Sequence, residues 1–161
     1  MYRIRWTAPL LVFLALCPSL FAQKYMGEYA VIVNPKNPAQ SISSSELKRL
    51  VLGEERFWTG RIPVSVIMQD ERSVELEFVM KKLLNMSQGE YREHWSAMIF
   101  RGQAVSEPVT VPSNGLASGL VAVQEGAICV IRADNVPKND SVKVLRIDGK
   151  SPGDPGYSLH W

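Results

Sequence analysis

The chain has 161 residues, of which 46% are hydrophobic, and a formal net charge of +2. This length predicts one domain with a real hydrophobic core, and it is short for two lobes that close over a ligand. Two of the 18 basic residues, Arg3 and Arg5, lie in a segment with the pattern of an export signal, and the other 16 balance 16 acidic residues. This neutrality removes the charge-based case for nucleic-acid binding.

Residues 1–22 have the order of features that is typical of a signal peptide. The two arginines precede an apolar run from Leu10 to Leu16, and Ala22 is the small residue expected before a cleavage site. The apolar run is too short to span a bilayer. We therefore expect residues 23–161 to form a single exported domain, periplasmic or secreted, that does not span the membrane after signal removal.

The two cysteines agree with export to a bacterial periplasm. Cys17 lies in the signal region, and it would be lipidated only if the chain were cleaved there, which Leu16 and Pro18 disfavour. Cys129, between two apolar residues, then has no partner for an internal disulfide and is expected to be buried as a small apolar side chain. Export without disulfides fits the periplasm better than a disulfide-stabilised secreted fold.

The first elements in chain order are a strand, a helix and a second strand. Residues 29–33 are β-prone and end at a turn, and Ser43 with Glu46 gives the capping pattern of a helix that Gly53 ends. The apolar run 64–68 predicts a strand that is covered on both faces.

Two helices are expected next. After Ser73, apolar residues recur at helical spacing, and the opposite face carries Glu75, Glu77, Lys81 and Lys82; the apolar positions are Leu76, Val79, Met80, Leu83 and Leu84. Ser87 and Glu90 begin the following helix, whose apolar stripe is Tyr91, Trp95, Met98 and Ile99.

The remaining elements complete an alternation of strands and helices. A strand is predicted at 109–111, then a small-residue helix through Leu116, Leu120 and Val123, then strands at 127–131 and 142–147. We expect the Pro/Gly-rich residues 151–156 to lie on the surface. The alternation predicts one α/β layered domain.

The sequence gives little support for catalysis or metal binding. His94 and His160 are the only histidines, and neither accompanies a nucleophile pattern or a second metal ligand at suitable spacing. Carboxylate pairs such as Asp70-Glu71 and Glu75-Glu77 are interpreted as solvated surface, and the aromatic residues Trp58, Trp95 and Phe100 as packing. We predict no enzyme activity, no metal and no cofactor.

One strand-loop-helix segment has the form of an anion site. Ser73 lies at the N-cap of the predicted helix, so its hydroxyl proton, the following backbone amides and Arg72 could hold phosphate oxygens. Ser113, at the start of another helix, offers a weaker second version. In the alternative interpretation both serines only cap their helices and Arg72 pairs with Asp70 or Glu75, since nearby carboxylates repel an anion.

The order of motifs resembles the phosphate-binding family of bacterial ABC-importer substrate-binding proteins. The resemblance covers about residues 29–159 and rests on Val31 to Pro35, Ser43 to Leu47, Leu52-Gly53, Trp58, Ile62 to Val64, Arg72-Ser73, Phe78, Trp95, Phe100 to Gly102, Gly126 to Ile128 and Val144 to Gly149. It implies the type II periplasmic-binding-protein fold, in which two α/β lobes close over phosphate. At this length the chain is similar to a single lobe, with a mixed and mostly parallel sheet flanked by helices.

The sequence differs from that family at the phosphate loop. The family pattern Arg-x-x-Gly-Ser-Gly-Thr appears here as residues 69–75, in which only Ser73 matches, Arg72 is shifted and Glu75 replaces a small or hydroxyl-bearing residue. Fold therefore transfers better than phosphate affinity.

Three hypotheses of function follow. The first is weak or partner-assisted binding of phosphate or a similar oxyanion at Ser73, Arg72 and Ser113, serving uptake or sensing with an ABC permease or another envelope protein. The second is a non-catalytic interaction or scaffold domain that keeps the fold and has lost the ligand. The third, a hydrolase, lacks a nucleophile-base pair. The sequence does not decide whether two copies assemble in place of the missing lobe.

Overall fold

A computed structural model describes residues 26–161, so the predicted signal peptide and Cys17 lie outside the described residues. The fold is built on one six-stranded sheet with the order β2-β6-β1-β5-β3-β4. Its strands are β1 (Tyr29–Val33), β2 (Ser41–Ile42), β3 (Ser65–Gln69), β4 (Val109–Val111), β5 (Ala127–Arg132) and β6 (Lys143–Ile147). Only β1 is antiparallel to its neighbours, β5 and β6, while β2 with β6, β5 with β3, and β3 with β4 pair in parallel. The predicted mixed, mostly parallel sheet is confirmed.

Four α-helices flank this sheet in the described part of the chain. They are α1 (Ser44–Val51), α2 (Val74–Phe78), α3 (Gln88–Phe100) and α4 (Asn114–Val123), and a short 3-10 turn follows β5 at Ala133–Asn135. Each α-helix begins after a serine whose side chain accepts a hydrogen bond from a first-turn amide: Ser43, Ser73, Ser87 and Ser113. At α3 the Glu90 side chain also accepts from the Ser87 amide, which completes the predicted capping box.

The helices cover the two faces of the sheet unequally. One face packs against α1, α2 and α3 in a large apolar cluster that includes Val31, Val66 and Met68. The other face packs against α4 in a smaller cluster that includes Ile32 and Ile67. Neighbouring β3 residues therefore point into different clusters, which confirms that this strand is covered on both faces.

The helix that was predicted to run on to Leu84 changes its winding after Phe78. Val79–Leu84 form a π-helix, which ends at Asn85 in the left-handed conformation (φ 56°). The predicted apolar residues still face the core, because Leu76, Val79, Met80 and Leu83 are all buried. Apolar spacings of three and four residues do not distinguish a π-turn from an α-turn, so the sequence pattern gave no sign of it.

Two expectations about the end of α3 are wrong, and α4 buries its smaller side chains. The inner side of α4 is formed by Ala117, Ser118 and Val121, whereas Leu116 and Val123 of the same helix are 55% and 78% exposed. Small side chains on this side let the helix lie close to the sheet, while Leu116 and Val123 point outward. At the end of α3, Ile99 and Phe100 are 37% and 93% exposed, so Ile99 is not on the buried stripe and Phe100 is not a packing residue. Trp58 and Trp95 are buried as expected.

The chain end returns to the core after an exposed turn. Residues 153–156 lie at the surface, in agreement with the prediction, while Tyr157 and Leu159 are buried. The Tyr157 hydroxyl donates to the Tyr29 carbonyl (2.8 Å), and the Tyr29 amide donates to the Leu159 carbonyl (2.8 Å). None of the helices within residues 26–161 combines the length and apolar character needed to cross a membrane.

Candidate functional site

The candidate site lies where two parallel strands end and two helices begin. The chain passes from β3 through a short loop to Ser73 and α2, and from β4 through Pro112 and Ser113 to α4. In open α/β sheets this edge, at the carboxyl ends of the strands, is where ligands bind. The first amides of each helix have no acceptor within the helix, so both helix starts favour negative charge.

Ser73 uses its hydroxyl within its own loop. The hydroxyl accepts a hydrogen bond from the Leu76 amide (3.1 Å) and donates its proton to the Asp70 carbonyl (2.8 Å). The Asp70 carboxylate in turn accepts from the Arg72 amide (3.2 Å). The proton that the sequence analysis assigned to phosphate is therefore donated to the backbone, and a bound anion would have to displace that bond.

The Arg72 side chain is exposed at this loop. Within residues 26–161 it forms no ion pair, so the alternative pairing with Asp70 or Glu75 is not found there. The neighbouring Glu71 pairs instead with Arg92 (2.9 Å) at the surface. Arg72 is therefore a solvated cation at the start of α2.

Ser113 caps α4 from an exposed position. Its hydroxyl accepts from the Leu116 amide, at a long distance of 3.3 Å. No second hydrogen bond of this hydroxyl is found in the part of the chain that the structure describes, so its proton faces solvent. Of the three predicted residues, Ser73 and Arg72 are adjacent, and Ser113 lies on the neighbouring helix start.

Glu75 contradicts the prediction that it lies on the polar face of its helix. The side chain is buried, at 4% exposure, near the start of α2. Its Oε1 atom accepts a hydrogen bond from Nδ2 of Asn114 (2.7 Å), the first residue of α4. No ion pair of Glu75 occurs within residues 26–161. A carboxylate is thus held between the two helix starts by a neutral amide.

Gln69, the last residue of β3, extends this contact into the sheet. Its Nε2 atom donates to Oδ1 of Asn114 (2.9 Å) and to the Val130 carbonyl of β5 (3.2 Å), and it lies 3.6 Å from the Cys129 sulfur. We call Glu75, Asn114 and Gln69 the edge network. Sequence reasoning placed Gln69 in the loop and missed the network, although a polar residue that directly follows an apolar strand was a usable signal.

Burial and, to a lesser extent, the negative charge of Glu75 raise the pKa values of two buried groups, Cys129 and Tyr29. Burial raises the pKa of the Cys129 thiol to about 12; the hydrogen bond from Gln69 opposes this rise, and the charge of Glu75 adds to it. Cys129 is thus an inert, buried thiol, as predicted. Burial also raises the pKa of Tyr29 to about 12, and Glu75 is the next largest contribution. The fully buried Tyr29 hydroxyl has no hydrogen-bond partner among the described residues.

Other candidate chemistry has no comparable geometry. Within residues 26–161, no three side chains of His, Cys, Asp or Glu are grouped so that they could hold a metal ion. The histidines bond to backbone carbonyls: His94 Nε2 to that of Leu52 and His160 Nδ1 to that of Tyr157, each at 2.8 Å.

Comparison with known proteins gives matches among solved structures alone. No protein-family model matches the chain, and no curated protein matches its sequence. A phosphate ABC transporter substrate-binding protein from Clostridium perfringens, with bound phosphate, aligns with 78% of this chain and 46% of its own, at 18% identity and a TM-score of 0.62. PstS from Borrelia burgdorferi aligns with 82% of this chain and 53% of its own, at 16% identity and a TM-score of 0.63.

A third structure agrees with these two. An ABC-type phosphate transport receptor from Vibrio cholerae aligns with 80% of this chain and 49% of its own, at 18% identity and a TM-score of 0.56. The chain spans about half the length of the solved structures it matches. At such low identity the likeness is one of fold, and the described residues have the fold found in phosphate ABC transporter substrate-binding proteins.

Proposed function

We propose that this chain is an exported, non-catalytic binding domain that takes up phosphate or a similar small oxyanion weakly, or with the help of a partner. Arg72, Ser73 and Ser113 are the residues proposed to contact the anion. The site is open on one side, because a single lobe does not bury an anion completely. An ABC permease or another envelope protein is the proposed partner, in uptake or sensing, and residues 1–22 are the proposed export signal.

The observation that carries this proposal is the edge network. A buried carboxylate is costly unless its surroundings stabilise it, and Glu75 has no ion pair within the described residues. It accepts a hydrogen bond from the Asn114 side chain and interacts with the charge of Arg132. It also lies near two helix starts, and helix starts are groups that bind oxyanions in proteins. The environment thus already favours negative charge, and the solvated Arg72 cation lies beside it.

The same residues argue for low affinity. The Ser73 proton is donated to the Asp70 carbonyl, and the negative charge of Glu75 repels a second anion. A dissociation constant of about 1 mM corresponds to only about 4 kcal/mol. We expect affinity in this range for the isolated domain, with tighter binding when a partner covers the open side.

Titration of the purified domain with phosphate, followed by NMR, tests the proposal. The amides of Val74, Ser73 and Ser113 should shift together at millimolar phosphate. Arg72→Ala should abolish these shifts, whereas Arg49→Ala, which removes a surface arginine from α1, should leave them unchanged. Equal loss in both variants would mean that only net charge is sensed.

A second candidate is an interaction or scaffold domain that has lost the ligand. It is favoured by the hydrogen bonds of Ser73 and Asn114, whose polar groups are already satisfied within the chain. Phosphate, sulfate and acetate are each added up to about 50 mM, since a dissociation constant above that concentration is too weak to be useful. If none of them changes the NMR spectrum, this candidate replaces the first.

A further inference from the structure

We infer that the Glu75 carboxylate is a built-in occupant of the anion position between the starts of α2 and α4, and that this residue sets how weakly the domain holds free oxyanions. The inference rests on the proposed function for the position of the site. It assigns a specificity role to one residue that the sequence interpretation placed at the surface.

The Glu75 carboxylate accepts a hydrogen bond from an oriented donor, as a bound oxyanion would. Its Oε1 atom is 2.7 Å from Nδ2 of Asn114, and Oδ1 of the same Asn114 side chain accepts from Gln69 at 2.9 Å. The second bond fixes the orientation of the Asn114 amide, because its oxygen must face Gln69 and its nitrogen must therefore face Glu75. The donor is thus preorganised towards a negative group.

The Glu75 carboxylate lies at the start of α4 as well as at the start of its own helix, α2. Asn114 is the first residue of α4, a helix of ten residues whose first-turn amides point towards this edge. The carboxylate has no ion pair within 4 Å in the described part of the chain. The Asn114 side-chain amide, the helix ends and the more distant charge of Arg132 all favour its negative form.

A second observation indicates unfilled hydrogen-bonding capacity nearby. The Tyr29 side chain is fully buried, and its hydroxyl has no partner among residues 26–161. The Tyr29 ring stacks on Phe78 of α2, with 3.8 Å between the ring centroids, so it lies beside the helix that carries Glu75. The charges of Glu75 and Arg132 both act on the Tyr29 hydroxyl. If the carboxylate were removed, the Asn114 side-chain amide would join the Tyr29 hydroxyl as a donor without an acceptor. Buried donors of this kind favour an oxyanion or water.

Replacement of Glu75 by serine tests this inference. Glu75→Ser removes the carboxylate and leaves a space of about its size, so a small external carboxylate should fit first and phosphate next. We expect formate and phosphate to raise the melting temperature of Glu75→Ser, and phosphate to bind it at least about tenfold more tightly than it binds the wild type. Sodium chloride at equal ionic strength controls for screening.

Glu71→Ser is the matched control variant. It removes a carboxylate from the same loop, but one that is exposed and paired with Arg92. Its phosphate affinity should change no more than the loss of one surface charge allows, about twofold. Equal gains in Glu71→Ser and Glu75→Ser would overturn the inference.

Glu75→Gln protects the test against loss of folding. Glutamine keeps the acceptor for Asn114 and the shape of the side chain, and it removes only the charge. The affinity for phosphate at Arg72, Ser73 and Ser113 should rise severalfold in Glu75→Gln. If Glu75→Ser is unfolded, formate should restore its folding. If Glu75→Gln binds no more tightly than the wild type and formate has no effect on Glu75→Ser, the inference fails.

The outcomes separate this inference from the proposed function. If the wild type binds phosphate and neither Glu75 variant binds it more tightly, the proposed function stands and the inference fails. If the wild type is silent and Glu75→Ser binds, the inference stands and the proposed uptake of phosphate fails. Silence in both proteins overturns both.

Discussion

Two carboxylates of this domain each lie at a helix start, one at the surface and one in the interior. At α1, Asp148 accepts from the amide and the hydroxyl of Ser44, at 3.0 and 2.5 Å, in an exposed position. Between α2 and α4, Glu75 accepts from Asn114 and is buried. Water can take over the hydrogen bonds of the exposed Asp148 at little cost, so that contact is an ordinary cap. Glu75 is shielded from bulk water, so the loss of its donor is costly.

Removal of the partner of the buried carboxylate should have the largest effect on stability. Asn114→Ala leaves Glu75 without its donor and Gln69 without one acceptor, and the free energy of unfolding should fall by about 2–3 kcal/mol. Urea denaturation measures this change. A loss below about 0.5 kcal/mol would mean that water supports Glu75 as well as Asn114 does.

Neutralisation of the buried carboxylate should have a smaller effect. Glu75→Gln keeps an acceptor for Asn114 but replaces a charge-assisted hydrogen bond with a neutral one, so we expect a loss of about 1 kcal/mol. In the double variant with Asn114→Ala the effects should not add, because the two side chains share one bond. Additive losses in a double-mutant cycle would contradict this coupling.

The exposed carboxylate should contribute less again, with a defined pH dependence. The hydrogen bonds from Ser44 hold the pKa of Asp148 below its ordinary value of 3.8. Because the folded-state pKa is the lower one, this contribution is present above the unfolded-state value and is lost as the pH falls through the folded-state pKa.

Asp148→Asn tests that pH dependence. The variant should lose about 0.5 kcal/mol at pH 7. Its difference from the wild type should shrink as the pH falls below 3.8. Acid unfolding curves of the two proteins measure this, and a difference that does not change with pH would show that charge plays no part in the cap.

Loss of a surface ion pair should have the smallest effect on the free energy of unfolding among these variants. Glu71 and Arg92 are both exposed, so Glu71→Ala should change the free energy of unfolding by less than about 0.5 kcal/mol. The same denaturation measurement checks it. A loss as large as that of Asn114→Ala would remove the contrast between buried and exposed carboxylates.

The sequence predicted the frame of the molecule because that frame depends on local patterns. Serine caps and apolar periodicity give the starts of the helices, and apolar runs give the main strands to within about a residue. The resemblance to phosphate-binding proteins also gave the correct fold.

The edge network could not be predicted in the same way, since it depends on contacts between distant parts of the chain. The helical position of Glu75 predicts that it lies at the surface. It is buried because α4 brings Asn114, which is 39 residues away in the sequence, into contact with it. Gln69 bonds to a β5 carbonyl 61 residues away. In α4, the inner face is formed by Ala117, Ser118 and Val121, which depends on how closely this helix approaches the sheet.

A crystal structure of the wild-type protein grown from a phosphate solution tests the central claim most directly. The account predicts that Glu75 still accepts the hydrogen bond from Asn114, and that any phosphate lies at the surface beside Arg72. A phosphate ion between the starts of α2 and α4, with the Glu75 side chain turned out to solvent, would contradict it.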